Sequence, residues 1–218
     1  MQIKTVRVQY EPMKRYAFID VHNTASTAQH MLGIVIDWGK LCDYLKNKRS
    51  CTEVFLYTGI DQGDIETANE FEALSKMGCC TVRSKVTYYY KNKDKIITLK
   101  CLGCGKDNIH TVNMGHTKKS NCDVELSVDA IEKSAPGVEL MIFTADGDFE
   151  YLIRRALEKG VERVEVVSYA GKATQAGVLV SRFSTKLQAL IKEKPDKVIY
   201  TSLKDIKDTI KKVIPAST

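Results

Sequence analysis

Apolar residues in this chain fall into short unbroken runs, separated by longer stretches in which apolar positions recur every three or four residues. Tyr16–Asp20, Glu53–Thr58, Glu139–Thr144 and Val164–Tyr169 are runs of the first kind, with Lys197–Tyr200 a shorter one. Such runs predict strands buried on both faces. Cys80–Tyr90 is rich in β-branched and aromatic residues and predicts a further strand. Between them, helical spacing covers much of Ala28–Asn47, Asp64–Met77, Asp123–Lys133, Phe149–Lys159, Ala176–Lys192 and Ser202–Val213. Trp38, Leu41, Cys42 and Leu45 form one apolar stripe, and Gly33 or Gly39 marks a break before or within it. Gly78 and Gly160 fit the ends of two of these helices, and His22–Thr27 reads as a polar loop. Strands alternating with helices predict βαβ units and an α/β fold with a mostly parallel central sheet.

Two segments depart from this rhythm. Residues 1–15 alternate polar and apolar, with Ile3, Val6, Val8 and Tyr10 offering apolar faces, and predict an N-terminal edge strand or hairpin arm ahead of a body spanning 16–218. Residues 91–118 are rich in glycine and lysine and form an insert within that body. The insert contains Cys101-Leu-Gly-Cys104, then His110 and His116. A Cys-x-x-Cys turn aims two thiolates at one point, and two histidines would complete a tetrahedral set. The reading is a zinc-knuckle-like insert with a structural Zn²⁺ on Cys101, Cys104, His110 and His116. Cys122, Cys79 and Cys80 are alternative ligands, and a loop with free thiols is the competing reading.

Composition narrows the setting. A chain of 218 residues with 44% hydrophobic content can build one full α/β core. No apolar run is long enough to cross a membrane, and the N-terminus lacks the apolar region of a signal peptide, so a cytoplasmic location is expected. The seven cysteines are an odd number and do not suggest a disulfide framework; Cys42, Cys51, Cys79 and Cys80 read as small buried thiols. The net charge of +6 fits a solvated surface or a polyanionic partner. The second reading gains from basic clusters at Lys91–Lys100 and at Lys118 and Lys119. Tyr88, Tyr89 and Tyr90 could stack single-stranded bases, although alternate burial in a strand is the simpler expectation for one or two of them.

The chemistry lies in acids at strand ends. Asp20 closes FID, Asp123 opens a helix, and Asp146 with Asp148 follow ELMIFT across Gly147. Acids at the carboxyl edge of an open sheet sit where such folds bind ligands. Gathered there, they repel unless a cation lies between them, which predicts a hard-metal site and phosphodiester chemistry. Helix capping is the competing role for Asp20 and for one of the later pair. Asp129, six residues beyond Asp123, leaves that residue's helical face and is expected at the periphery.

The order FID-x-x-N, K-x-x-x-D-V-x-L-x-x-D and T-x-D-x-D-F resembles the NYN domain family of the PIN-like nuclease superfamily. It rests on Asp20 and Asn23, on Lys119, Asp123, Leu126 and Asp129, and on Asp146, Asp148 and Phe149, and spans about Tyr16 to Leu190. Val21 stands where the family has a small residue, and Asn121-Cys122 where Gly-Val is common. The resemblance implies a PIN-like three-layer sandwich and an endoribonuclease in which Asp20, Asp123, Asp146 and Asp148 hold Mg²⁺ or Mn²⁺. It implies that Asn23 orients substrate or a metal-bound water, with RNA as the partner near Lys118 and Lys119. A second copy of the chain is a further candidate partner. Two alternatives are an RNA-binding module with a vestigial metal site and a metal-dependent phosphatase. The phosphatase of haloacid-dehalogenase type needs D-x-D-x-T, and this chain reads Asp20-Val21-His22-Asn23-Thr24, without the second acid.

Overall fold

The computed structural model describes residues 13–119, 122–175 and 177–213. The expected strand within residues 2–10 lies outside them. In chain order the elements are β1 (Lys14–Asp20), α1 (Val21–Leu32), α2 (Trp38–Asn47), β2 (Glu53–Asp61), α3 (Ile65–Lys76) and β3 (Thr81–Lys91). The insert follows as β4 (Lys95–Lys100), β5 (Asp107–Val112) and β6 (His116–Lys119). The remainder comprises α4 (Asp123–Lys133), β7 (Val138–Phe143), α5 (Glu150–Glu158), β8 (Arg163–Ser168), β9 (Lys172–Gln175), β10 (Val178–Ser181), α6 (Thr185–Glu193), β11 (Val198–Ser202) and α7 (Leu203–Ile210).

Seven strands form the central sheet in the order β11-β8-β7-β1-β2-β3-β6. All neighbours are parallel except β6, which runs antiparallel to β3. Each inner strand is apolar on both faces because each face is covered. Tyr16, Phe18, Leu140 and Ile142 pack with Leu126 of α4, Ile153 of α5 and Leu187 of α6. Ala17, Ile19, Met141 and Phe143 pack with Ala28 of α1, Leu41 of α2, Phe71 of α3 and Leu203 of α7. The fold is thus a three-layer α/β sandwich. Among the described residues no helix is long and apolar enough to cross a membrane.

Three local expectations are corrected. His22–Thr27 is not a loop but part of α1, which Asp20 caps by accepting the Asn23 N–H. The polar look of the segment misleads because Thr24 and Thr27 are buried; the Thr24 hydroxyl donates to the Phe143 carbonyl at 3.2 Å. The helix expected to begin at Ala176 begins at Thr185. The apolar run Val178-Leu179-Val180, with two β-branched valines, instead pairs with β9, with Gly177 at φ +77° in the connection. Tyr88, Tyr89 and Tyr90 do not bury alternately: all are more than half exposed, because β3 runs on past the helix layers to pair with β6.

Candidate active site

Asp20 ends β1 at the centre of the sheet, and its carboxylate accepts the Asn23 N–H at 3.1 Å. Next to it β7 ends at Phe143, and the chain continues through Thr144 and Ala145 to Asp146. Two polar side chains of α1 join these exits. Asn23 Oδ1 accepts the Ala145 N–H at 2.7 Å, and Thr24 bonds the Phe143 carbonyl. The Thr144 hydroxyl accepts the Asp146 N–H at 3.1 Å, and the Asp146 carboxylate accepts the Asp148 N–H at 3.0 Å, turning a single 3₁₀ turn at Gly147–Phe149. Asp123 arrives from the other side as the first residue of α4. The buried Cys122 thiol donates to the Thr58 carbonyl of β2 at 3.4 Å and ties the start of α4 to the exit of that strand.

The three exits place Asp123 and Asp146 within electrostatic reach of Asp20. Burial pushes the Asp20 carboxyl up to about 6; the Asn23 N–H opposes this, and the Asp123 and Asp146 carboxylates reinforce it. Among the described residues neither Asp20 nor Asp146 has a lysine or arginine ion pair. Asp20 and Asp146 therefore hold negative charge near one another without a basic partner among the described residues.

The other expected site residues are placed differently. Asp148 faces solvent: its side chain is 79% exposed, and Lys186 Nζ is 3.6 Å away. Gly147 between the two acids is needed for space, since a Cβ there would come within 2.2 Å of Ser184 Oγ at the start of α6. Asp129 accepts from the Tyr57 hydroxyl at 2.8 Å and from Arg83 Nε at 3.2 Å, so it locks α4 to β2 and β3. Asn23 spends its side-chain carbonyl on Ala145, which makes it a positioning residue for Asp146. Lys118 and Lys119 lie on β6, with backbones paired to Tyr89 and Tyr88.

The insert does not gather its cysteines and histidines. Cys101 and Cys104 flank the tight turn of the β4–β5 ribbon, where the Gly105 N–H reaches the Cys101 carbonyl at 2.9 Å. His110 pairs with Ile97, three rungs beyond the Lys100–Asp107 pair that borders this turn, roughly 10 Å along the ladder. His116 is on β6, opposite Lys91. Among the described residues the single group of three or more Cys, His, Asp or Glu whose ligand atoms all lie within 4.8 Å is Cys42, Cys79 and Cys80.

A cleft of about 200 Å³ adjoins the acids, lined by His22, Asn23, Ser26, Thr27, Ala145 and Arg182. Arg182 Nη1 donates to Ser26 Oγ at 2.9 Å, so a guanidinium stands on its wall. Neither Arg182 nor Ser26 carries a local sequence signal, since they meet only through the fold.

The donor set suits a hard divalent cation. It consists of carboxylate oxygens only, and their repulsion is relieved by positive charge. The three acids do not close into a group within 4.8 Å, which fits an ion that keeps water between itself and part of its protein shell.

The family model of the NYN domain matches residues 15–187. A crystal structure of a Vibrio parahaemolyticus protein of unknown function, VPA0982, is similar over 94% of this chain and 99% of its own, with a TM-score of 0.58 and 19% identity. Phosphofructokinase-2 from Escherichia coli aligns over 81% of this chain and 52% of its own at a TM-score of 0.39 and 13% identity, a likeness too slight to carry an argument. The chain has no match among curated proteins. With the matched segment running from β1 into α6 and containing every acid of the cluster, the chain belongs to the NYN domain family, within the PIN-like nuclease superfamily.

Proposed function

We propose that this protein is a metal-dependent endoribonuclease. The observation that carries the reading is the meeting of Asp20, Asp123 and Asp146 at the carboxyl edge, with burial and the neighbouring charges lifting the Asp20 carboxyl to about 6. Asp20, Asp123 and Asp146 would hold Mg²⁺ or Mn²⁺, with Asp148 an outer acid that also meets Lys186. When bound, such an ion supplies Lewis acidity at a phosphate oxygen and lowers the pKa of a coordinated water. Asn23 fixes the Ala145-Asp146 turn against α1, so the third carboxylate does not have to be ordered when substrate arrives. Arg182 in the adjoining cleft would take a phosphate next to the scissile one. The exposed tyrosines of β3, paired in register with the Lys118 and Lys119 positions, offer faces on which unpaired bases stack. Nothing in the fold or the comparisons supports a homodimer.

The test is cleavage of labelled single-stranded and hairpin RNA with Mg²⁺ or Mn²⁺, alongside Asp146→Asn. The parent should cut and the variant should lose on the order of 100-fold or more in rate, since displacing even an outer-shell partner of a metal ligand costs up to that much. A parent that binds RNA but never cuts it supports the vestigial-site reading. An Asp146→Asn protein that cuts as the parent does overturns the assignment.

A further inference from the structure

The fold gathers three cysteines at a place the nuclease reading does not use. Cys42 comes from α2, and Cys79 and Cys80 from the link between α3 and β3. Their sulfurs all lie within 4.8 Å of one another, with those of Cys79 and Cys80 4.0 Å apart. Cys42 and Cys80 are buried, Cys79 is half-buried, and all three are free thiols. Because Cys80 immediately precedes β3, the cluster sits at the amino edge of the sheet, across the domain from the acids.

The spacing is what a bound ion requires. Two thiolates on one tetrahedral zinc at about 2.3 Å have sulfurs about 3.8 Å apart. Gly78, at φ +71°, ends α3 and turns the chain so that two consecutive cysteines reach the same thiol of α2. Cys51 shows what a filler thiol looks like in this protein: it is buried against the Met141 thioether at 3.7 Å and belongs to no cluster. A cleft of about 310 Å³ opens beside the trio, with Lys46, Ser75, Gly78, Cys79 and Cys80 on its walls. It gives an ion a way in and leaves room for a water as a further ligand. The Lys46 ammonium on its rim favours the thiolate form of Cys80.

We propose that Cys42, Cys79 and Cys80 form a three-thiolate site for a thiophilic d¹⁰ ion, Zn²⁺ or Cu⁺. Bound there, the ion fastens α2, α3 and β3 together, and the thiols release their protons on binding. Zn²⁺ would add a water from the cleft to reach four ligands, whereas Cu⁺ accepts soft thiolate ligands without that requirement. The proposal does not depend on the nuclease reading.

The experiment uses the full chain, purified reduced and stripped of metal, then titrated anaerobically with Zn²⁺ and separately with Cu⁺, with Co²⁺ as a spectroscopic probe. One ion per chain is expected, with thiolate-to-cobalt charge-transfer bands. Affinity should fall at least about ten-fold in Cys79→Ser, the half-buried position least able to disturb the fold, and again in Cys42→Ser checked for native circular dichroism. Cys101→Ser/Cys104→Ser should bind as the parent does. Preference for either ion upholds the site and identifies its occupant. No stoichiometric uptake of either ion overturns the proposal. So does binding that survives Cys79→Ser and disappears in Cys101→Ser/Cys104→Ser.

Discussion

The two ends of the central sheet both hold carboxylates, and treat them in opposite ways. At the amino edge, Glu139 of β7 takes Arg15 from β1 on one side and Arg163 from β8 on the other. Glu165 of β8 takes Arg49 at 2.6 Å and the Thr201 hydroxyl at 2.6 Å. At the carboxyl edge of the same strands, Asp20 and Asp146 are given backbone N–H groups and each other's charge. Matched charge at the first edge makes a fixed joint between strands. Mismatched charge at the second leaves a potential that an added cation would lower. Sequence composition cannot distinguish these edges, since each contributes ordinary acids to the count.

The largest expected effect comes from breaking the matched edge. Arg49→Leu strands the buried Glu165 with only Thr201, and should cost about 3–5 kcal/mol in chemical denaturation. A loss below about 1 kcal/mol would mean that this pair is screened like a surface one.

At the mismatched edge the sign reverses. The folded Asp20 titrates near 6, above its ordinary value of 3.8, so folding takes up a proton between those values. Stability therefore falls as pH rises through that window, and the full penalty persists above it. Asp20→Asn keeps a capping oxygen but loses the charge, and should stabilise the metal-free protein by about 2 kcal/mol near pH 8 and by little near pH 4. Equal effects at both pH values would break the contrast between the edges. In the parent, Mn²⁺ should raise Tm near pH 8 and do so much less near pH 5, where Asp20 is largely protonated. Asp20→Asn should abolish most of that difference.

The smallest effect should follow Asn23→Ala. It orphans the Ala145 N–H, for about 1–2 kcal/mol of stability. With Asp146 less well held, kcat should drop about ten-fold. An unchanged kcat would leave Asn23 as a purely structural bond.

The sheet was legible because its strands are covered on both faces, so FID and ELMIFT read as unbroken apolar runs that stop at their acids. Asp20 and Asp146 could be picked out for the same reason, since each stands at a chain reversal beside such a run, whereas Asp123 was marked by opening a helix. What the sequence hid depends on distant partners. Asp129 is expected at the periphery of the site, but its partners Tyr57 and Arg83 lie 72 and 46 residues away and only the fold reveals them. Asp148 looks like a twin of Asp146, and only the approach of Ser184 to Gly147 shows how tightly the turn between them is packed. Cys101 and Cys104 advertise a metal through their spacing, whereas Cys42 lies far along the chain from Cys79 and Cys80 and carries no motif. Alternation failed for the β3 tyrosines because it presumes a covered face, and that stretch of strand has none.

The position of β1 has a consequence for the protein's synthesis. It lies between β2, which follows it closely in the chain, and β7, which is made more than a hundred residues later. A nascent chain folded only as far as α4 carries two of the three clustered carboxylates, and its central strand still has one edge open. Asp146 joins them when β7 docks into that gap. The step that seals the core would also complete the carboxylate cluster, so an unfinished or truncated chain would lack the proposed metal site.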